Sequence, residues 1–110
     1  TRSAEKKDNL LKAGADHVVV TNEEDIVARV REITGGAGAG IIFDAVAGPM
    51  LVQLAKAAAY GAMIFEYGAL SLENTPFPLM LSLEKALTVR GYTLFQMNKE
   101  KDALERAKNY

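Results

Sequence analysis

The sequence predicts an α/β domain: a parallel sheet flanked by helices. Three observations carry this. Helix-like and strand-like segments alternate from one end to the other, as in a sheet joined by crossover helices. The stretch Gly40 to Ala47 holds Ile41, Ile42 and Phe43 with no charge among them, and such a run reads as a strand buried on both faces. That run ends in Asp44-Ala-Val-Ala-Gly-Pro49. Ligands of open α/β sheets bind just beyond the carboxyl ends of strands, so Asp44 to Pro49 is the expected ligand edge.

Each element has its own signal. Ser3 can cap a helix over Ala4 to Ala13, and Gly14 stands at its expected stop. His17 to Val20 reads as a short buried strand. Thr21 or Asn22 can cap a second helix, with Glu23, Glu24 and Asp25 at its positive end. Ile26, Val30 and Ile33 recur there at helical spacing. The glycines from Gly35 to Gly40 end that helix and lead into the central strand over Ile41 to Val46. Pro49 suits a first helical turn, and Met50 to Tyr60 carries the helix until Gly61. Ala62 to Tyr67 is the next strand. Pro76 and Pro78 mark Ser71 to Pro78 as loop. Leu79 to Ala86 is a short helix, Leu87 to Phe95 contains a β-prone strand, and Asn98 can cap a last helix from Lys99.

Composition narrows the function classes. The 110 residues suit one small domain. Hydrophobic residues at 49% and charged residues at 25% describe a globular chain. Thirteen Lys and Arg against 14 Asp and Glu argue against a general nucleic-acid binder. The absence of cysteine excludes a disulfide, a thiolate zinc site and a cysteine nucleophile. No run approaches the roughly 20 apolar residues of a membrane span, and no signal-peptide core is present, so no membrane role is expected. The expected location is cytoplasmic.

Several residues are chemical candidates. Gly36-Ala-Gly38-Ala-Gly40 looks like a phosphate loop, but it follows a helix and precedes a strand, the reverse of the dinucleotide motif, so it reads as a turn. Arg2, Ser3 and Lys6 surround a helix start and suit a phosphate; solvated charges on a capped helix are the plainer alternative. Asp44 could be a functional acid, or it could accept hydrogen bonds from the amides of its own loop. His17 lacks partners for a triad or a metal. Tyr67 could donate a proton or simply pack.

Taken together, Thr1-Arg-Ser-x-x-Lys6, Leu11-Lys-Ala-Gly-Ala-Asp16-His-Val18, Glu24-Asp-Ile26, Arg31-Glu-Ile-Thr-Gly-Gly36, Phe43-Asp-x-Val46, Tyr67-Gly-Ala69 and Leu87-Thr-x-Arg-Gly-Tyr92 resemble the medium-chain dehydrogenase/reductase superfamily. Within it they resemble the zinc-independent quinone oxidoreductase branch. The resemblance covers essentially the whole chain and implies an incomplete Rossmann-like sheet. The family's first two strands, Gly-rich fingerprint and catalytic domain are not matched. Residues 1–110 are therefore expected to be part of a nucleotide-binding domain, without activity alone.

The implied activity of the parent is hydride transfer from NADPH to a quinone or an activated carbonyl or alkene. By position, Arg2, Ser3 and Lys6 would grip the adenosine 2′-phosphate, with Thr21 near that phosphate or the ribose. Val46 would approach the adenine side. Gly68, Ala69, Leu70 and Ser71 would pass beneath the nicotinamide ribose, and Leu94 and Phe95 would meet the carboxamide. No catalytic or metal-binding residue is assigned. The family's strand order, 3-2-1-4-5-6, implies a gap between the strands at His17 and Ile41. It also implies a homodimer through the strand Val89 to Phe95. Gly40 stands where the family has Asp, and Ala47-Gly48 where it has Gly-Gly. A receiver or flavodoxin-like signalling module, or an interaction module without chemistry, are the alternatives.

Overall fold

The structure, a computed structural model, describes residues 1–93. Its centre is a three-stranded sheet in the order β1-β2-β3, formed by Ala39–Asp44, Ala58–Glu66 and Thr88–Gly91. Both neighbouring pairs are parallel. Two helices make the crossovers: α3 (Met50–Ala57) joins β1 to β2, and α4 (Leu79–Lys85) joins β2 to β3. Ahead of the sheet come a 3-10 turn at Ala4–Lys6, α1 (Lys7–Lys12) and α2 (Ile26–Ile33). The expected parallel α/β class is present as a partial sheet.

The sequence placed several boundaries differently. The first helix divides into the 3-10 turn and α1, and neither part buries a residue. Without an apolar stripe against a core, little favours one continuous helix. Helix α2 is capped by Asp25 rather than Thr21 or Asn22, its carboxylate accepting from the Ala28 amide at 3.0 Å. Glu24 turns back instead and accepts from the Val20 amide. Helix α3 ends at Ala57 rather than Tyr60, and β2 begins at Ala58 rather than Ala62. Gly61 lies inside that strand at φ +74°. There the register jumps, from Ala39 opposite Ala58 to Ile41 opposite Met63, and glycine admits the left-handed residue of the irregularity.

His17 to Val20 is not assigned as a strand. Its backbone nevertheless makes a parallel contact. The Thr1 amine donates to the Val19 carbonyl, and the Thr21 amide donates to the Thr1 carbonyl. These two bonds bracket Val20 as a parallel bridge would. Asn22 continues the contact with the Arg2 carbonyl. The expected strand over Leu87 to Phe95 is formed at Thr88–Gly91, and residues 94 to 110, with the expected last helix, lie outside the described residues.

The core lies on one side of the sheet. Ala62 and Ile64 of β2 are buried with Leu51, Ala55 and Ala57 of α3, and α2 packs on α3. Pleating turns alternate residues to the other face. There Ile41 is 64% exposed and Phe43 61% exposed. The expectation that the central strand is buried on both faces therefore fails among the described residues. On this open side Phe43 stacks on Phe65 with ring centroids 5.1 Å apart, and Tyr92 meets Phe65 edge-on.

One side chain ties the crossovers together. Lys85, at the end of α4, donates from Nζ to the carbonyls of Ala55, Lys56 and Ala58 at 2.8–2.9 Å. It thereby satisfies the carbonyl end of α3 where that helix turns into β2. Burial, followed by the charge of Arg31, lowers the Lys85 pKa. Lys85→Met should cost about 1–3 kcal/mol in urea denaturation, the range for charge-assisted bonds lost from a partly covered site. An unchanged midpoint would show that water replaces the ammonium at no cost.

Candidate functional site

Two corners of the fold hold the sequence-derived candidates. The first is assembled by the contact of Thr1 and Arg2 with Val19 to Asn22. It brings Thr1 and Arg2 beside Thr21 and Asn22, with Ser3 and Lys6 in the 3-10 turn that follows. Ser3 is extended at the N-cap position, but its hydroxyl makes no cap bond. Arg2 and Lys6 are exposed, and among the described residues neither forms a salt bridge. Thr21 donates through Oγ1 to the Thr1 carbonyl at 3.3 Å. This corner carries two cations, Arg2 and Lys6, and two hydroxyls, Ser3 and Thr21, and among the described residues no acid forms a salt bridge with either cation.

The second corner lies beyond the carboxyl ends of the strands, where the sequence placed a ligand edge. Asp44 closes β1 and is 4% exposed. Its Oδ1 accepts from the Val46 amide at 2.9 Å and the Ala47 amide at 3.1 Å. Its loop-capping role is thus realised. The loop after β2 is laced to the same turn. Tyr67 donates to the Asp44 carbonyl, Leu70 to that of Ala45 and Ser71 to that of Val46, all through backbone amides. The Gly48 amide donates to Thr75 Oγ1 at 2.8 Å. These bonds bring Val46 beside Leu70 and Ser71, with Gly68 and Ala69 in the same loop. Leu94 and Phe95 lie outside the described residues.

An open cleft of about 450 Å³ borders this corner, lined by Glu66 to Ala69 and Gly91 to Thr93. Tyr67 and Tyr92 flank it with ring centroids 6.0 Å apart.

Sequence reading missed Glu66. The parallel register sets Glu66 directly beside Asp44 at the ends of β2 and β1. Asp44 Oδ2 and both Glu66 carboxyl oxygens are sealed from solvent, and no hydrogen-bond donor is found for them among the described residues. An acid proton on Glu66 is what can join the two carboxyls. Burial, then a hydrogen bond to Asp44 and the charge of Asp44, raise the Glu66 pKa to about 7. A signal was available: Glu66 is two residues from Ile64 in one strand, so it shares the buried face. Thr75 was also missed, and its loop position gave no such signal.

Comparison with known proteins identifies the family. The sequence model described as zinc-binding dehydrogenase matches residues 1–109. The chain belongs to the zinc-binding dehydrogenase family. Quinone oxidoreductase 1 of Escherichia coli strain K12 is 46% identical over 44 residues, which are 40% of this chain and 14% of that protein. A crystal structure of Escherichia coli quinone oxidoreductase complexed with NADPH matches with TM-score 0.76 at 29% identity, over 84% of this chain and 28% of that one. An NAD-dependent alcohol dehydrogenase matches with TM-score 0.76 at 27% identity, over 96% and 32%. The chain thus spans 14% of the curated relative and less than a third of each solved structure.

Among the described residues the zinc in the family's name finds no fitting donor set. The chain has no cysteine and one histidine. Among the described residues no three His, Asp or Glu side chains could hold a metal. His17 is exposed.

The tightness of the second corner is testable. A Cβ on Gly68 would stand 2.8 Å from the Ala45 carbonyl oxygen, closer than real contacts allow. Gly68→Ala should force the two loops apart and cost about 1–3 kcal/mol. Thermal denaturation of the variant checks this, and an unchanged midpoint would mean that the loops move apart freely.

Proposed function

We propose that this chain is the NADP(H)-binding part of a quinone-oxidoreductase-like enzyme. The observation that carries the reading is the first corner: Arg2 and Lys6 are exposed cations that form no salt bridge among the described residues, and Thr21 is bound to the neighbouring Thr1 carbonyl. Arg2 and Lys6 suit a doubly charged 2′-phosphate, with Ser3 Oγ as a further donor. An NAD site instead places an acid where the ribose hydroxyls lie, and Thr1-Arg-Ser3 has none. The relative solved with NADPH supports this choice. The NAD-dependent relative makes cofactor preference the point to test.

At the second corner, Val46 lies on the adenine side, and Gly68 to Ser71 run beneath the nicotinamide ribose. Leu94 and Phe95 take the carboxamide in this reading. A bound nicotinamide would supply hydride from C4 to a quinone or an activated carbonyl or alkene. The chain's own residues bind and orient: the first corner fixes the phosphate, the laced loops fix the ribose, and Tyr67 and Tyr92 border the cleft. The parent enzyme would be cytoplasmic, its substrate-binding domain lying outside residues 1–110.

Titration with adenosine 2′,5′-bisphosphate and with adenosine 5′-monophosphate tests the phosphate site on this chain directly. Amide shifts of Arg2, Ser3, Lys6 and Thr21 should respond to the bisphosphate. One charge-assisted bond at about 1.5–3 kcal/mol corresponds to a roughly tenfold to hundredfold preference for it. Arg2→Ala should remove most of that preference. Equal binding of the two nucleotides would overturn the NADP(H) reading.

The homodimer belongs to the same reading. Among the described residues β3 is an edge strand of the sheet, and a sheet edge is where a second copy can add its own strand. Thr93→Pro should weaken a dimer formed through Val89 to Phe95, as measured by sedimentation. A dimer of unchanged strength would place the contact elsewhere.

A further inference from the structure

The Asp44–Glu66 pair has a consequence beyond nucleotide binding. We infer that Asp44 and Glu66 share one proton, and that this proton latches the two strand-end loops, which loosen when it is lost. The argument begins with geometry. Asp44 and Glu66 are Cα partners on adjacent parallel strands. Asp44 is buried, its Oδ1 is committed to the Val46 and Ala47 amides, and its Oδ2 has no donor. Both Glu66 oxygens are covered and also without a donor. Two carboxylates cannot both stay charged there without compensation. A proton on Glu66 removes one charge and supplies the missing donor to Asp44 Oδ2.

No described neighbour compensates otherwise. From β3, Gly91 stands opposite Glu66, while Arg90 pairs with Phe65 and so points to the other face. Tyr67 and Tyr92 border the cleft beside Glu66. The first turns of α3 and α4 carry no acid. Lys56, Glu84 and Lys85 lie in the last turns of those helices, with Lys85 bound at the start of β2 and therefore at the far end of the sheet. Glu73 lies near Gly48 in the loop and adds negative charge. Among the described residues, the two salt bridges join Arg29 to Glu24 and Glu32, away from the pair.

The latch acts through backbone. Asp44 holds the 44–48 turn by its side chain, and its carbonyl accepts from Tyr67. Leu70 and Ser71 tie the second loop to Ala45 and Val46. Repulsion between the carboxylates strains this whole edge. The sign follows from linkage. The closed form binds the proton more tightly than the open form, so closure is complete below the usual carboxylate range. It weakens as pH rises from about 4.5 to about 7 and levels off above that. Its influence on a bound nucleotide rests on the reading proposed above; the latch itself does not.

The test therefore needs no nucleotide. Carbon-detected NMR of the Glu66 carboxyl in the 110-residue chain should give a midpoint of about 7. Hydrogen-exchange protection factors of Val46, Ala47, Leu70 and Ser71 should fall by up to roughly tenfold per pH unit across that window, the limit for one linked proton. Protection of Ile64 should not follow. Glu66→Gln keeps a neutral donor beside Asp44 and should flatten the pH dependence. Asp44→Asn should return Glu66 toward the ordinary carboxyl range. A Glu66 midpoint near 4.5 in the unsubstituted chain would overturn the inference, whether or not the variants fold. Loop protection that tracks pH equally in Glu66→Gln would overturn it too. A failed bisphosphate titration with a high Glu66 midpoint would sink the nucleotide reading and leave the latch standing.

Discussion

The parallel register of β1 on β2 is the constraint from which the candidate edge follows. In a parallel pair, residues opposite each other share a face and both strands end on the same side. Here the register sets Ile42 beside Ile64, Phe43 beside Phe65 and Asp44 beside Glu66. The first pair faces the helices, the second faces outward, and the third brings two carboxyls together where the strands stop. A shift of one residue would put Asp44 beside an aromatic ring and send the acids to opposite faces. The electrostatics of the edge are thus a result of strand pairing.

The loops beyond those strands depend on small residues as well as on polar ones. A Cβ at Gly68 would strike the Ala45 carbonyl, and one at Gly48 would strike Ser71. Close approach is what lets the amides of Leu70 and Ser71 reach the preceding turn. Ala47 sits in the left-handed region at φ +58°, a conformation that costs a residue with a Cβ about 1–2 kcal/mol. The two bonds to Asp44 Oδ1 and the bond from Gly48 to Thr75 hold the turn in that form. Strain and hydrogen bonding oppose one another within five residues, so an edge of this kind responds to a change at Asp44.

Much of this was legible in the chain. The strand ending in Asp44, the capping role of that aspartate and the turn at Gly35 to Gly40 follow from local chemistry. Gly38 illustrates the turn well: at φ +85° it lies so close to Ala58 that no Cβ fits. What was not legible depends on partners distant in sequence. Nothing in Ala58-Ala-Tyr60 says strand rather than helix, because alanine serves α3 and only pairing with β1 decides. Glu66 looked like an ordinary charged residue until the register placed it beside Asp44. Lys85 carries no local signal of its role, yet it caps a helix roughly thirty residues earlier.

The failed expectation about the central strand has a topological cause. Consecutive crossovers that run in one direction along a sheet, with one handedness, lay their helices on one face. α3 and α4 join β1 to β2 and β2 to β3 in that way, and they pack on each other and on the sheet. The face of Ile64 is therefore covered, and the face of Ile41, Phe43 and Met63 receives no helix from either crossover. An uninterrupted apolar run shows that both faces of a strand are suited to burial. Which face is covered depends on the direction in which the chain winds, and winding is decided by segments outside the run. Phe43, Phe65 and Tyr92 respond by packing on one another along the open side. That arrangement saves part of the apolar area, at roughly 25 cal/mol for each Å² withdrawn from water, without a second layer among the described residues. Sequence composition thus describes what a strand tolerates, and topology determines what it receives.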